Sequence, residues 1–413
     1  MEAKRFEAIP DLTTLNLTGA APPLLFGTAA LAHRAYAGAG LAELLGAIRR
    51  PTPTEDAAAA LALDAATAHR LNFRAEAADA LQEQALASCP LYRIADTGRS
   101  ARPLRVLALM APGDLMANTP LDFITAELEV RLDVLFVRPG RPLPASLPDH
   151  DVAFFAAGDA DPGLLVRLAA LHAAWPRPAL NDPACVPRLS REALAEALRH
   201  RPELLCPPIR RAARDEAAAL PAGWAFPVLV RPVGSHAGHD LTKADDAAAL
   251  TAALARIDAD EVFLSQFIDY RGRGGLFRKY RVAFIAGAPF LCHMAVSEHW
   301  MVHYLNAGMA ESRAKREAEA AAMATFDADF ARRHADAFAV LAEWARLDYF
   351  QIDCAEAPDG RLLLFEADVA GIVHTMDPPD LFPYKPPQMR RVIAAFGAML
   401  ARHAAAPAPA MAG

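Results

Sequence analysis

The chain has 413 residues, 54% of them hydrophobic and 22% charged, with a formal net charge of −7. Such a length exceeds the usual span of one hydrophobic core and predicts two or three packed units, while the composition argues against extensive disorder. The negative balance supplies no broad basic field for a nucleic-acid backbone, so nucleic acid is not expected as a partner.

Residues 1–100 carry Ala/Leu runs such as AAAALALDAATAHRL and AEAADALQEQALA. Their apolar spacing predicts amphipathic helices, and the polar stretch DTGRSARP at 96–103 predicts a linker with a boundary near residue 100. The amino terminus has no apolar core of signal-peptide length, and no later run approaches ~20 apolar residues, so a cytoplasmic chain with no membrane partner is the default expectation. The five cysteines, Cys89, Cys185, Cys206, Cys292 and Cys354, form no C-x-x-C pair and read as reduced thiols.

Short apolar runs follow at LRVLALM (104–110), LDVLFVRP (132–139), DVAFFAAG (151–158) and PAL (178–180). Ended by Pro or Gly and separated by helical segments, they predict a small parallel-sheet α/β unit over 101–186. From 187 to 403 the pattern changes. Helices expected at Ser190–Arg199, Asp245–Arg256 and Ala328–Arg346 alternate with strands PVLVRP, EVFLSQF, YRVAFIA, YFQIDCAE and RLLLFEAD. That order predicts an α+β unit with antiparallel sheets, and the Pro-rich residues 404–413 are expected to be disordered.

Three segments carry chemistry. In the first, the strand ending at Arg231 runs into a loop containing Gly234, Ser235, His236 and Gly238. Glycines let amides converge on an anion, the two polar side chains add donors, and Arg231 adds a permanent charge; a solvent loop between strands has the same appearance. In the second, the turn Ala-Pro-Asp-Gly at 357–360 folds a hairpin. A two-residue turn would set Asp353 opposite Leu364, with Glu366 one diagonal step away and Asp368 further along the same face. Three carboxylates on one face suit magnesium, with ATP phosphates completing its shell. A solvated edge strand with Asp353 paired to an arginine is the alternative. In the third, the strand 261–266 ends in Gln266, Phe267, Ile268 and Asp269; backbone groups at Phe267 and Ile268 could read an adenine edge, with Gln266 or Asp269 assisting the base or ribose.

In this order the segments resemble the ATP-grasp superfamily, closest to its glutathione-synthetase and ribosomal-protein glutamate ligase branch, from about Arg105 to His403. The resemblance implies a small pre-ATP-grasp domain and a two-lobed ATP-grasp domain, with ATP and one or two magnesium ions as cofactors. Gly234–Gly238 would cover phosphates and Gln266-Phe267-Ile268 would line adenine. Arg281 would meet the transferring phosphoryl group, with Arg231 and Asn306 also counted as catalytic. Asp353, Glu366 and Asp368 fall at its three magnesium-ligand positions. Arg231 stands where lysine is usual, Asp368 where asparagine is common, and Lys279 where an acid often precedes the arginine; Arg191 stands in for a second ATP-binding lysine.

The segment 297–309 lies where related ligases carry residues facing substrate, so His299, His303 and Tyr304 are candidates there, without the H-E-x-x-H order of a zinc site. The reaction implied is amide or peptide-bond formation between small-molecule or peptide carboxylates and amines, through an acyl phosphate, with ADP and phosphate released. A ligase modifying a ribosomal peptide and a nucleotide-binding protein without catalysis are the alternatives. Homo-oligomer formation is left open.

Overall fold

A computed structural model describes residues 16–17, 21–95, 100–158, 160–235, 238, 240–272 and 274–406. These fall into two compact units. One takes in the described residues up to Val186, together with Arg346–Phe350 and those from Val369 onward; the other holds Pro187–Ala345 and Gln351–Asp368. The fold class is mixed α/β, with parallel and antiparallel sheets.

The Ala-rich stretches of the first hundred residues fold as helices at Thr28–Tyr36, Leu41–Ala47, Glu55–Leu71 and Ala75–Ser88. Thr54 starts the third of these by accepting the Ala57 amide at 3.1 Å, a side-chain cap for an otherwise orphaned donor. Between and after them the same unit carries strands β1 (Leu24–Leu25), β2 (Leu91–Ile94), β3 (Leu104–Met110), β4 (Val130–Phe136), β5 (Val152–Phe155) and β6 (Ala179–Leu180). They form one six-stranded sheet in the order β1-β2-β4-β3-β5-β6. All pairs are parallel except β2 with β4. Val106–Leu109 and Val152–Phe155 are fully buried, which is why they read as unbroken apolar runs.

The compact units do not divide at residue 100, where the sequence suggested a boundary. Strands β1 and β2 come from the first hundred residues and join the sheet of the next segment. Tyr92 on β2 is completely buried, and Arg93 Nε meets Asp133 Oδ1 of β4 at 2.6 Å. Two buried acids fasten the helices as well: Asp64 accepts the Phe26 amide at 2.9 Å, and Asp122 accepts that of Ala29 at 2.7 Å. The helix Lys385–Ala404 also belongs to this unit, with Phe396 packed on Phe154 and Tyr349. Of the tail expected to be disordered, residues 407–413 lie outside the described residues.

The second unit has two sheets. Strands β7 (Leu204–Leu205), β8 (Ile209–Ala213), β9 (Val228–Pro232), β10 (Thr242–Ala244), β11 (Glu261–Gln266), β12 (Phe277–Ile285), β13 (Ala288–Ser297), β14 (Tyr349–Glu356) and β15 (Leu362–Asp368) supply them. An antiparallel sheet runs β10-β9-β11-β8, and a second runs β13-β12-β14-β15-β7. Val228, Val230, Val262 and Leu264 form the core of the first with Leu250 of the helix Ala247–Leu254. Period-two alternation then turns Arg231 to the other face. The helix expected over Ala328–Arg346 is two, Phe330–Arg333 and Ala335–Ala345, because His334 leaves the helical conformation.

Candidate active site

Two arginines enter the site from separate elements. Ser190 caps the helix Arg191–Leu198 by accepting the Ala193 amide at 3.3 Å, which sets Arg191 at its first position. The Arg191 guanidinium is ion-paired to Glu366. Arg231, on β9, donates from Nε to Ser235 Oγ at 3.0 Å and from Nη2 to the Ser235 carbonyl. Ser235 Oγ in turn donates to the Pro232 carbonyl at 2.9 Å, and Gly234 reverses the chain at φ 79°. Burial and the neighbouring Arg191 push the pKa of Arg231 down to about 10, against the opposing pull of Glu366. Two guanidiniums beside one carboxylate leave a surplus of positive charge, which favours an anion.

Strands β12, β14 and β15, adjacent in the sheet, carry the remainder. Lys279 and Arg281 are two apart on β12 and share a face. Both reach Asp353 on β14: Lys279 Nζ to Oδ2 at 2.9 Å, and Arg281 Nε to Oδ1 at 2.8 Å with Nη2 to Oδ2 at 2.9 Å. Burial alone would raise the pKa of Asp353, but Arg281 and Lys279 outweigh it and hold the carboxyl well below its usual range. Burial likewise works against the charge of Arg281, and Asp353, Asp368 and Glu366 more than restore it.

The register differs from the one expected. Ala357 N donates to Arg361 O at 2.9 Å, so the turn holds three residues rather than two, with Gly360 at φ 86°. Cys354 therefore opposes Leu364, and a bulge at Phe365 brings Asp353 directly opposite Glu366 and Gln351 opposite Asp368. The two displacements of one residue each add to two, so the three acids keep a common face.

These acids do not form a ready magnesium cage. Their all-oxygen chemistry suits a hard cation, but both Asp353 oxygens are taken by Lys279 and Arg281, and Glu366 Oε2 is taken by Arg191. Among the described residues, no group of three or more His, Cys, Asp or Glu side chains is arranged to hold a metal ion.

The other candidates divide. His303 feels the cluster: burial, then Lys279 and Arg281, lower its pKa, and Asp353 and Glu366 only partly compensate, so its imidazole is neutral near pH 7. Tyr304 points elsewhere, its hydroxyl donating to Glu319 Oε2 at 3.0 Å. Asn306 is exposed and caps a short turn, its Oδ1 accepting the His303 amide at 3.0 Å. His299 is exposed, with its amide on Ser297 Oγ at 3.0 Å. Phe267 lies against Trp300 with ring centroids 5.7 Å apart, and Lys243 Nζ sits 4.9 Å from the Phe267 centroid. Gln266 pairs with Val228 across β11 and β9, and Ile268, half-buried, follows them. Asp269 is closed by Arg271, Nε to Oδ1 at 2.9 Å, which lowers its pKa. At Gly238, φ is 76°, and an added Cβ would stand 3.5 Å from Met301 Sδ; His236 lies outside the described residues.

Sequence reasoning missed two participants and one buried acid beside them. Lys279 was visible only as an unusual residue before Arg281, whereas here it holds Asp353. His293 on β13 pairs with Arg281 across the ladder, and its ring lies tilted against Tyr304 with centroids 4.8 Å apart. Glu319, fully buried in the helix Arg313–Thr325, also accepts the Met294 amide at 3.1 Å. The spacing of Lys315, Glu319 and Met323 along one helix face was the available signal for Glu319.

No protein-family model and no curated protein matches the sequence. Among solved structures, the chain is similar to a RimK domain ATP-grasp protein from Sphaerobacter thermophilus, at 19% identity and a TM-score of 0.39, over 73% of this chain and 100% of that one. It is also similar to the D-alanine–D-alanine ligase of Bacillus anthracis, determined with ATP, at 11% identity and a TM-score of 0.42, over 73% of this chain and 96% of that one. The D-alanine–D-alanine ligase of Coxiella burnetii gives the same identity, coverage and TM-score.

Proposed function

We propose that this chain is an ATP-dependent carboxylate–amine ligase of the ATP-grasp type, forming an amide bond through an acyl phosphate. The observation that carries this reading is the convergence of Arg191, Arg231, Lys279 and Arg281 with Asp353, Glu366 and Asp368 inside one compact unit. Four cations against three acids give a site that favours a polyanion and holds its cations in place by ion pairs. The order of these residues along the chain matches the resemblance described above.

In this reading Arg191 and Arg231 receive the β- and γ-phosphates, and Phe267 and its strand neighbours line the adenine. The substrate carboxylate attacks the γ-phosphorus. A new O–P bond forms as the bridging P–O bond to ADP breaks, while Arg281 and Lys279 offset charge on the transferring group. An amine then attacks the acyl carbon, and phosphate leaves. His303 is assigned to contact with substrate or acyl phosphate. Catalysis is by positioning and electrostatics, with no side chain forming a covalent intermediate.

The test is ADP release across a panel of amino acids and dipeptides, followed by mass spectrometry of the product. ADP that forms only when a carboxylate and an amine are both present supports the ligase. ATP bound but never cleaved with any pair assigns the chain to non-catalytic nucleotide binding.

A further inference from the structure

Building on that reading, we infer that Asp353 is a positioning residue rather than a metal ligand: it anchors Lys279 and Arg281 as a two-cation seat for the transferring phosphoryl group. The geometry separates the three side chains by depth. Asp353 retains 3% of its side-chain exposure, whereas Lys279 and Arg281 retain 15% and 25%. The carboxylate is therefore sealed behind the cations, and the cations present the accessible surface.

Its hydrogen-bonding capacity is directed the same way. The Arg281 fork engages both Asp353 oxygens, and Lys279 adds a second bond to Oδ2. A divalent ion at Asp353 would have to displace a bidentate guanidinium and an ammonium, then sit beside both charges. The seat is rigid because both cations lie on β12, next to β14 in the sheet, and His293 opposes Arg281 from the other side. Lys279 spends one of its three donors on Asp353, so the seat keeps donors for phosphoryl oxygens.

Calorimetric titration of the full chain tests this without knowledge of the substrates. ADP and a non-hydrolysable ATP analogue are titrated at graded magnesium into wild type, Asp353→Asn, Lys279→Gln and Asp368→Asn. The seat predicts that Lys279→Gln and Asp353→Asn each lose about tenfold in affinity for the analogue, while ADP affinity and its magnesium midpoint stay within about twofold. Asp368→Asn serves as the reference for the loss of another acid of the shared face, with a raised midpoint expected. The inference is overturned if Asp353→Asn raises the midpoint as Asp368→Asn does, or if Lys279→Gln lowers it by freeing a ligand. Should Asp353→Asn fail to fold, Lys279→Gln decides alone: the seat requires weaker analogue binding with an unchanged midpoint, and a metal-ligand Asp353 requires a lowered midpoint. Wild type that binds neither nucleotide removes the ligase reading itself, a result distinct from either variant outcome.

Discussion

Asp353 stands directly opposite Glu366 across the β14–β15 ladder, and each carboxylate is neutralised by cations of its own, Lys279 and Arg281 for the first and Arg191 for the second. Like charges so placed destabilise a strand pair unless they are compensated. Glu366→Gln keeps the volume, removes the charge and releases Arg191. Turnover should fall at least ~100-fold with an unchanged circular dichroism spectrum. A variant keeping half of the wild-type rate would contradict the role.

Arg231→Ala and Arg281→Ala should separate binding from chemistry. Arg231 touches only Ser235 among the contacts described, so its loss should raise the KM for ATP with little effect on stability. Arg281→Ala should lower kcat more than it raises KM. It should also destabilise the fold by about 3 kcal/mol, because buried Asp353 is left with Lys279 alone. Steady-state kinetics and urea unfolding of the two variants check both halves.

Tyr304→Phe removes a hydroxyl donor from Glu319, a carboxylate with no solvent exposure. The expected cost is about 1–3 kcal/mol in chemical denaturation. Nucleotide affinity should stay unchanged, since the hydroxyl is directed at the helix Arg313–Thr325 and not at the phosphate cations. A tenfold loss of ADP binding would instead assign Tyr304 to the nucleotide.

In the first unit, Arg105 Nε lies 3.1 Å from Asp151, and Asp149 also receives Arg177 Nη2 at 2.9 Å. Burial would raise the pKa of both acids, but Arg105 outweighs it and holds them below the ordinary 3.8. A carboxylate with a depressed folded-state pKa contributes stability that is full above its unfolded value and is lost as pH falls through the folded one. Arg105→Ala should therefore lower Tm by about 2–4 °C at pH 6–7. That gap should shrink below the 3.8 at which unfolded carboxylates take up protons. A gap independent of pH would mean that Arg105 acts through packing.

Deleting residues 1–100 would remove β1 and β2, strip Arg93 from buried Asp133 and turn β4 into an edge strand. An unpaired edge is a template for aggregation. The truncated protein should be insoluble or lack a cooperative thermal transition. A soluble monomer with a sharp transition would show that the helices fold as a separate layer.

Much of this was legible from local pattern. LRVLALM and YFQIDCAE are strands over the residues expected, because buried strands need continuous apolar runs and such runs are visible. β1 and β2 were not, since two- and four-residue strands in Ala-rich surroundings carry too little periodicity, and only sheet pairing defines them. At the site, the shared face of Asp353, Glu366 and Asp368 was readable and their register was not. A third turn residue, Gly360 in the left-handed region, and the Phe365 bulge each shift the pairing by one, and they preserved the face only because their displacements add to an even number. The occupation of Asp353 by Lys279 depended on β12 neighbouring β14, a pairing that no local signal encodes.

The path of the chain also sets an order of assembly during synthesis. The second unit is visited twice, at Pro187–Ala345 and again at Gln351–Asp368, and the first is completed only by Arg346–Phe350 and the residues from Val369. Arg191, Arg231, Lys279 and Arg281 thus leave the ribosome before any of Asp353, Glu366 and Asp368. A nascent chain ending before Gln351 bears four cations without these counter-charges, and β12 has β13 as its only strand neighbour. A premature stop there costs the entire protein rather than its tail, because neither unit can close on what has been made.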